Sequence, residues 1–250
     1  MQPIMQNVAN YFMSNNSAIN VKIDPIGSNE GLKAMYHDSA DIAMSSHEIA
    51  DSVRGMFRKK KIEFGEFLLA GDALVFVVNV NNGVKKLTSE QVISIYSGET
   101  NNWKQVGGED APIVLFSRDV NSGTYSFFKD VILDKGHIHN AASSMKDNQT
   151  IITSIAKDKN AIGYTSFSNL DYSVNPLDIS FDEGKTYVSP RIETINNLKY
   201  KYFRGLFLYY KPEAYAKIKP FLDTVKSDTV QKIIRTSGYI PLSHRLISHH

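Results

Sequence analysis

Two short polar segments hold the residue types that recognise an oxyanion: Gly27-Ser28-Asn29-Glu30-Gly31 and Arg118-Asp119-Val120-Asn121-Ser122-Gly123-Thr124. Each joins the end of a strand-like run to the start of a helical pattern, which presents unpaired backbone N–H groups outward. A helix N-terminus carries partial positive charge, glycine lets a ligand approach the backbone, and hydroxyls add donors. Arg118 supplies a full charge and a planar fork able to engage two oxygens at once. Together these groups suit holding a tetrahedral dianion. Taken singly, each also suits a plain structural role, with Ser28, Ser122 or Thr124 as helix caps and Arg118 as the ion-pair partner of Asp119. The first turn is not a nucleotide P-loop, because the spacing from Gly27 to Lys33 is wrong and Ala34 stands where the magnesium-binding hydroxyl belongs.

The elements that must position these turns alternate between strand and helix. Residues 2–13 place Ile4, Met5, Val8, Tyr11 and Phe12 at helical spacing, Asn15-Asn16-Ser17 breaks the pattern, and residues 19–23 read as a strand. A short helix over 31–36 and a small-residue strand over 40–44 follow. Residues 74–78 form a buried-strand run, and Thr88-Ser89-Glu90 caps a helix through Ile95. A second strand, turn and helix unit covers the strand 112–117, the turn at Asn121-Ser122-Gly123, and a helix with Phe127, Phe128, Val131 and Ile132 on one face. Strands over 161–165 and 205–210 and one or two helices over 215–234 complete the pattern. The expected class is α/β with mainly parallel sheets, whose ligands sit beyond the carboxyl ends of the strands.

A chain of 250 residues is long enough for two lobes, each with its own core. Hydrophobic residues at 42%, charged residues at 22% and a net charge of +2 are ordinary globular values, without the basicity of a nucleic-acid binder. With no cysteine there is no disulfide framework, thiolate metal site or cysteine nucleophile. The longest apolar stretch, 67–78, is interrupted by Gly71 and Asp72 and is too short to span a bilayer, so no transmembrane segment is expected. No signal peptide precedes Met1, which fits a cytosolic protein or a mature form whose export sequence has been removed. His249 and His250 read as the remnant of a tag.

Five segments, in order, resemble the phosphate-binding proteins of high-affinity bacterial phosphate ABC importers. They are Gly27-Ser28-Asn29-Glu30-Gly31-Leu32-Lys33, Ala40-Asp41-Ile42-Ala43-Met44-Ser45-Ser46, Ile95-Tyr96-Ser97-Gly98-Glu99 with Asn102-Trp103, Ser117-Arg118 with Ser122-Gly123-Thr124, and Ala161-Ile162-Gly163-Tyr164. Tyr239-Ile240-Pro241-Leu242 resembles the family's C-terminal ending. The resemblance implies a two-lobed periplasmic-binding-protein-like fold with a ligand cleft between lobes joined by crossing strands. It divides the chain into 1–79 and 198–250 for the first lobe and 80–197 for the second. It implies that Ser28 and Ser46 grip phosphate from one lobe and that Arg118, Ser122, Gly123 and Thr124 grip it from the other. The implied partners are inorganic phosphate and the membrane permease of an ABC importer, with no nucleic acid, for a monomer located in the periplasm or outside the cell. Lipid anchorage through a removed N-terminal segment is one arrangement it allows. This chain departs from the family pattern at three places. It starts just after the position of a strand and a Gly-Ser-Thr-like turn that adds phosphate donors. It has serine at position 46, where some relatives carry an aspartate, and it has Glu30 beside the first anion turn, expected to face outward in the helix's first turn.

No catalytic residue is assigned, since no serine-histidine pair, metal set or paired acid and base stands near the turns in the sequence. A phosphate-ester hydrolase, and a signalling or adhesion protein on the same fold, are the competing classes. Trp103 reads as a packing anchor and Arg58-Lys59-Lys60-Lys61 as a solvated face. His137 and His139 share a strand face if extended, but nothing completes a metal shell, so neither metal nor cofactor is expected.

Overall fold

The computed structural model describes residues 1–242; His249 and His250 lie outside the described residues. Along the chain come α1 (Gln2–Asn15), α2 (Ser28–Tyr36), β1 (Ile42–Ser45), α3 (Asp51–Lys59), β2 (Gly65–Asn79), β3 (Lys86–Thr88) and α4 (Ser89–Ser97). Then follow β4 (Val114–Arg118), α5 (Gly123–Phe127), β5 (Ser143–Met145), α6 (Asn148–Lys157), β6 (Ala161–Ser166), β7 (Val174–Pro176) and β8 (Asp178–Ser180). The last elements are α7 (Ile192–Asn196), β9 (Phe203–Tyr210), α8 (Tyr215–Val225) and α9 (Asp228–Thr236). Two compact units result, one of residues 1–72 with the chain from Arg204 on, the other of residues 73–203. The chain passes from one to the other within β2 and at the start of β9.

In the first unit β9 runs antiparallel to β1 and lies beside β2. Alternation along β9 fills both faces. Leu206 and Leu208 join α1, α8 and α9 in one apolar cluster, while Phe207 and Tyr209 join Leu32, Met35 and Phe57 of α2 and α3 in another. The expected single or double helix over 215–234 is two helices, because Ser227 caps a new start by accepting from the Val230 N–H. The expected strand at 19–23 has no regular structure, although Val21 and Ile23 still lean on the first cluster at the two-residue spacing that suggested a strand.

In the second unit β2 pairs antiparallel with β6 and β7, while β4 pairs parallel with β6 and β5. The sheet is therefore mixed rather than mainly parallel. The strands β4, β5 and β6 follow one another through α5 and α6 and obey the crossover rule. In contrast, β2 arrives from the other unit with no helical crossover to its neighbours, so nothing forces it parallel. On one face Ile151, Ile152 and Ile155 of α6 pack on Val75 and Val77. Gly163 permits this approach, since a Cβ there would stand 2.8 Å from both Ile151 and Ile155. The other face is aromatic, with Phe76, Tyr96, Phe128 and Tyr164 in edge and tilted contact.

Three local expectations meet their physical reasons here. Thr88 caps α4 through a full capping box with Gln91. Trp103 is buried and donates its indole N–H to the Asn160 carbonyl at 2.9 Å, as a packing anchor does. The single helical face over Phe127 to Ile132 fails at Val131, which is exposed. After α5 the chain winds as a π-turn, and the buried residues Phe127, Phe128, Ile132 and Leu133 then recur at a five-residue spacing that leaves Val131 in solvent.

Candidate functional site

In the first unit the anion turn folds with Gly27 as the cap of α2, at φ 90° and ψ 161°, a conformation that favours glycine. The helix begins at Ser28, so Ser28, Asn29 and Glu30 belong to its first turn rather than to a preceding loop. Ser28 is buried, and its Oγ accepts the Ser46 N–H at 3.2 Å. Two serines 18 residues apart are thus brought together, one at a helix start and one just past the end of β1. Among the described residues the Ser28 hydroxyl proton donates to no partner. Glu30 bonds to Lys33 at 2.7 Å on the exposed side of the helix, so its carboxylate is paired away from the turn. Asp41 precedes β1 instead of lying in it, and pairs with Lys217 at 2.8 Å.

A serine-histidine contact that the sequence reading did not foresee sits beside this turn: Ser45 Oγ lies 3.2 Å from His47 Nδ1. Ser45 is fully buried, and its hydroxyl donates to the His47 carbonyl at 2.7 Å. The same Oγ accepts the His47 backbone N–H at 3.4 Å. These side chain to backbone bonds between residues two apart make the arrangement a local turn.

In the second unit β4 ends at Arg118 and the chain turns through Asp119, whose side chain accepts the Asn121 N–H at 3.1 Å and whose carbonyl accepts the Ser122 N–H at 3.0 Å. Ser122 then caps α5 by accepting from the Thr124 N–H at 3.2 Å, and Ser122, Gly123 and Thr124 are all buried. The structural role weighed for Ser122 is thus present.

Arg118 is the most constrained side chain of this turn. Its Nε donates to the Met145 carbonyl at 3.2 Å, one terminal nitrogen to Asn148 Oδ1 at 2.7 Å, and the other to the Lys146 carbonyl at 3.0 Å and to Asp119 at 3.4 Å. Three of these four acceptors are neutral. They fix the guanidinium without cancelling its charge, which the Asp119 carboxylate at 3.4 Å, 35% exposed, opposes directly and the Asp147 carboxylate more weakly. The backbone of Arg118 is fixed as well, since its N–H donates to Tyr164 Oη at 3.1 Å while Ser117 Oγ shares a 2.7 Å bond with the same phenol. Burial pushes the Tyr164 phenol up to about 12, so it remains a neutral bridging group at any physiological pH. Nearby, Asp147 caps α6, and bonds from Thr150 hold its carboxyl below the usual carboxylate range, with Arg118 adding a smaller pull.

The sequence reading named the residues of both turns but missed Asn148 and the carbonyls of Met145 and Lys146. The only local signal there was the Asp147 to Thr150 capping pattern, which marks a helix start and says nothing of an arginine 30 residues earlier. A groove of about 620 Å³ on the second unit, lined by Phe181, Tyr187, Arg191, Lys199 and Lys201 among others, includes none of the sequence-predicted residues. His137 and His139 lie outside any strand, and among the described residues no three histidines or carboxylates gather as a metal site. Among the same residues no helix is long and apolar enough to cross a membrane.

The family model for a PBP superfamily domain matches residues 1–241. The phosphate-binding protein PstS of Bacillus subtilis is 31% identical over 245 residues, covering 97% of this chain and 78% of its own. The chain belongs to the PBP superfamily and, within it, to the PstS family. Solved structures agree with that membership of the PstS family. A Clostridium perfringens crystal structure with bound phosphate, described as a phosphate ABC transporter substrate-binding protein, superposes with a TM-score of 0.85 at 29% identity over 96% of this chain and 95% of that one. An ABC-type phosphate transport receptor from Vibrio cholerae gives a TM-score of 0.80 at 28% identity over 96% of both chains.

Proposed function

We propose that this chain is an extracytoplasmic substrate-binding protein that captures inorganic phosphate and delivers it to the membrane permease of an ABC importer. The observation that carries the reading is the Arg118 turn: a charged guanidinium held mainly by neutral acceptors, next to the capped Ser122-Gly123-Thr124 start of α5, in a chain that matches PstS proteins over nearly its full length. Ser28 and Ser46 supply the donors of the first unit, and Arg118, Ser122, Gly123 and Thr124 those of the second. Hydroxyls and N–H groups neutralise a dehydrated dianion without themselves changing protonation, which is binding and not chemistry. Calorimetric titration with phosphate, run beside incubation with a generic phosphomonoester, tests this. Saturable binding without turnover is expected; hydrolysis would move the protein to the competing enzyme class, and neither would leave a non-transport role on the same fold.

Selectivity follows from the same donors. Phosphate near neutral pH carries a proton that sulfate lacks, so discrimination needs an acceptor aimed at that proton. A hydroxyl at position 46 accepts, but it also rotates to donate to sulfate. Phosphate is expected to bind more tightly than sulfate, and Ser46→Asp is expected to widen the ratio by about tenfold or more, mainly by repelling sulfate. Competition titrations at fixed pH and ionic strength check this. Equal or tighter sulfate binding by the unaltered protein removes phosphate as its ligand, and an unchanged ratio in the variant removes residue 46 from the site.

A further inference from the structure

We infer that Asn148 is a positioning residue for the anion, an uncharged clamp whose neutrality keeps the Arg118 charge available to the ligand; this rests on the phosphate-capture reading above. Asn148 is the first residue of α6. Its Oδ1 accepts from Arg118 at 2.7 Å, the shortest of the four bonds described above for that side chain, and its Nδ2 donates to Asn169 Oδ1 at 2.9 Å. The amide is therefore fixed from both ends, with its oxygen turned to the guanidinium by the Asn169 bond and its nitrogen turned away.

The residue type is informative because local energetics favour a different one. The first turn of a helix prefers carboxylates, which interact favourably with its dipole. Here α2, α3, α4, α7 and α9 carry an acid in the first turn, Glu30, Asp51, Glu90, Glu193 and Asp228 respectively, while α1, α5, α6 and α8 carry none. In α6, ten residues long, the first turn carries none, although an aspartate at 148 would add both the dipole term and an ion pair with Arg118. It would also cancel much of the one full positive charge that the anion turn owns. An amide of the same shape makes the same bond to Arg118, holds the fork in place before the ligand arrives, and spends none of its charge. The carbonyls of Met145 and Lys146 act in the same way on the other nitrogens.

This role makes stability and affinity move in opposite directions, which a merely structural role does not. Asn148→Asp is expected to keep or raise the thermal midpoint while lowering phosphate affinity by about tenfold or more, because a carboxylate beside the ligand repels it. Asn148→Ala removes the clamp but leaves the charge, and is expected to lower the midpoint while weakening phosphate by only about threefold. The experiment is calorimetry with inorganic phosphate and thermal denaturation without it, on the whole protein and both variants. An aspartate variant weaker than the alanine variant in binding, yet at least as stable, supports the inference. An aspartate variant that binds within threefold of the unaltered protein overturns it, and so does one whose affinity merely follows a falling midpoint. If the unaltered protein shows no phosphate binding, the phosphate-capture reading falls first and this inference with it.

Discussion

Replacing Arg118 by alanine is expected to weaken phosphate binding by about 2–5 kcal/mol, the range for truncating one partner of a buried charged pair. In affinity this is about 30-fold to several thousand-fold. The magnitude follows from the surroundings of the side chain. With 13% of its surface exposed, Arg118 meets little solvent screening, and three neutral acceptors have already fixed its rotamer, so the ligand gains the charge without the entropy of ordering it. The same bonds predict a second effect, because Arg118 ties β4 to the 145–148 segment, and the alanine variant should also lose some stability in the second unit. Arg118→Lys separates the two contributions: it retains charge but cannot reproduce four bonds in a planar fork, so its affinity should fall between the two. Titration calorimetry on variants shown to be folded by circular dichroism decides the matter. An alanine variant that stays folded and binds phosphate within threefold of the unaltered protein would remove Arg118 from the site.

Much of this was legible locally, and what was not shares a cause. The Ser122 cap and the β4 end are each set by residues within a few positions, so spacing and residue type announced them, whereas α2 starts at Ser28, three residues before the expected position. The class of alternating strands and helices was visible for the same reason, as was Trp103 as an anchor. Three features escaped, two of them because they depend on partners far along the chain. The direction of β2 against β6 is fixed by where β2 comes from, not by its apolar run. The contact of Ser45 with His47 is local, but it depends on how the chain turns just past the end of β1, which residue types alone do not fix. The clamp on Arg118 requires a segment 27 to 30 residues downstream to fold beside β4 as β5 and the start of α6. The strand expected at 19–23 failed for a complementary reason, since alternation predicts which side chains face a core but does not supply a neighbouring edge to pair with.

A second large effect belongs to stability and lies outside the anion turns. Asp72 interrupts the apolar run of β2 and is almost fully buried in the first unit, where Arg204 of β9 donates to its Oδ2 through Nε at 3.1 Å and through a terminal nitrogen at 2.7 Å. The exposure of the two side chains is 3% for Arg204 and 1% for Asp72, so both charges lie away from bulk water and each meets the other as a direct counter-charge. Removing the carboxylate leaves a guanidinium in an apolar strand without it, and Asp72→Ala should cost about 3–5 kcal/mol. For a chain of this size that is a fall in thermal midpoint of about 6–20 °C. The pair's own net contribution is a separate quantity, because both charges were desolvated to form it. Substituting both at once, Asp72→Leu with Arg204→Met, removes the desolvation cost together with the attraction, and the double variant should recover most of the loss or exceed the unaltered midpoint. Thermal and urea denaturation of the two single variants and the double variant measure the coupling. A single variant within about 3 °C of the unaltered protein would mean that water or other groups solvate the remaining charge. A double variant less stable than either single one would mean that the shape of the pair, and not its charge balance, holds β2 against β9.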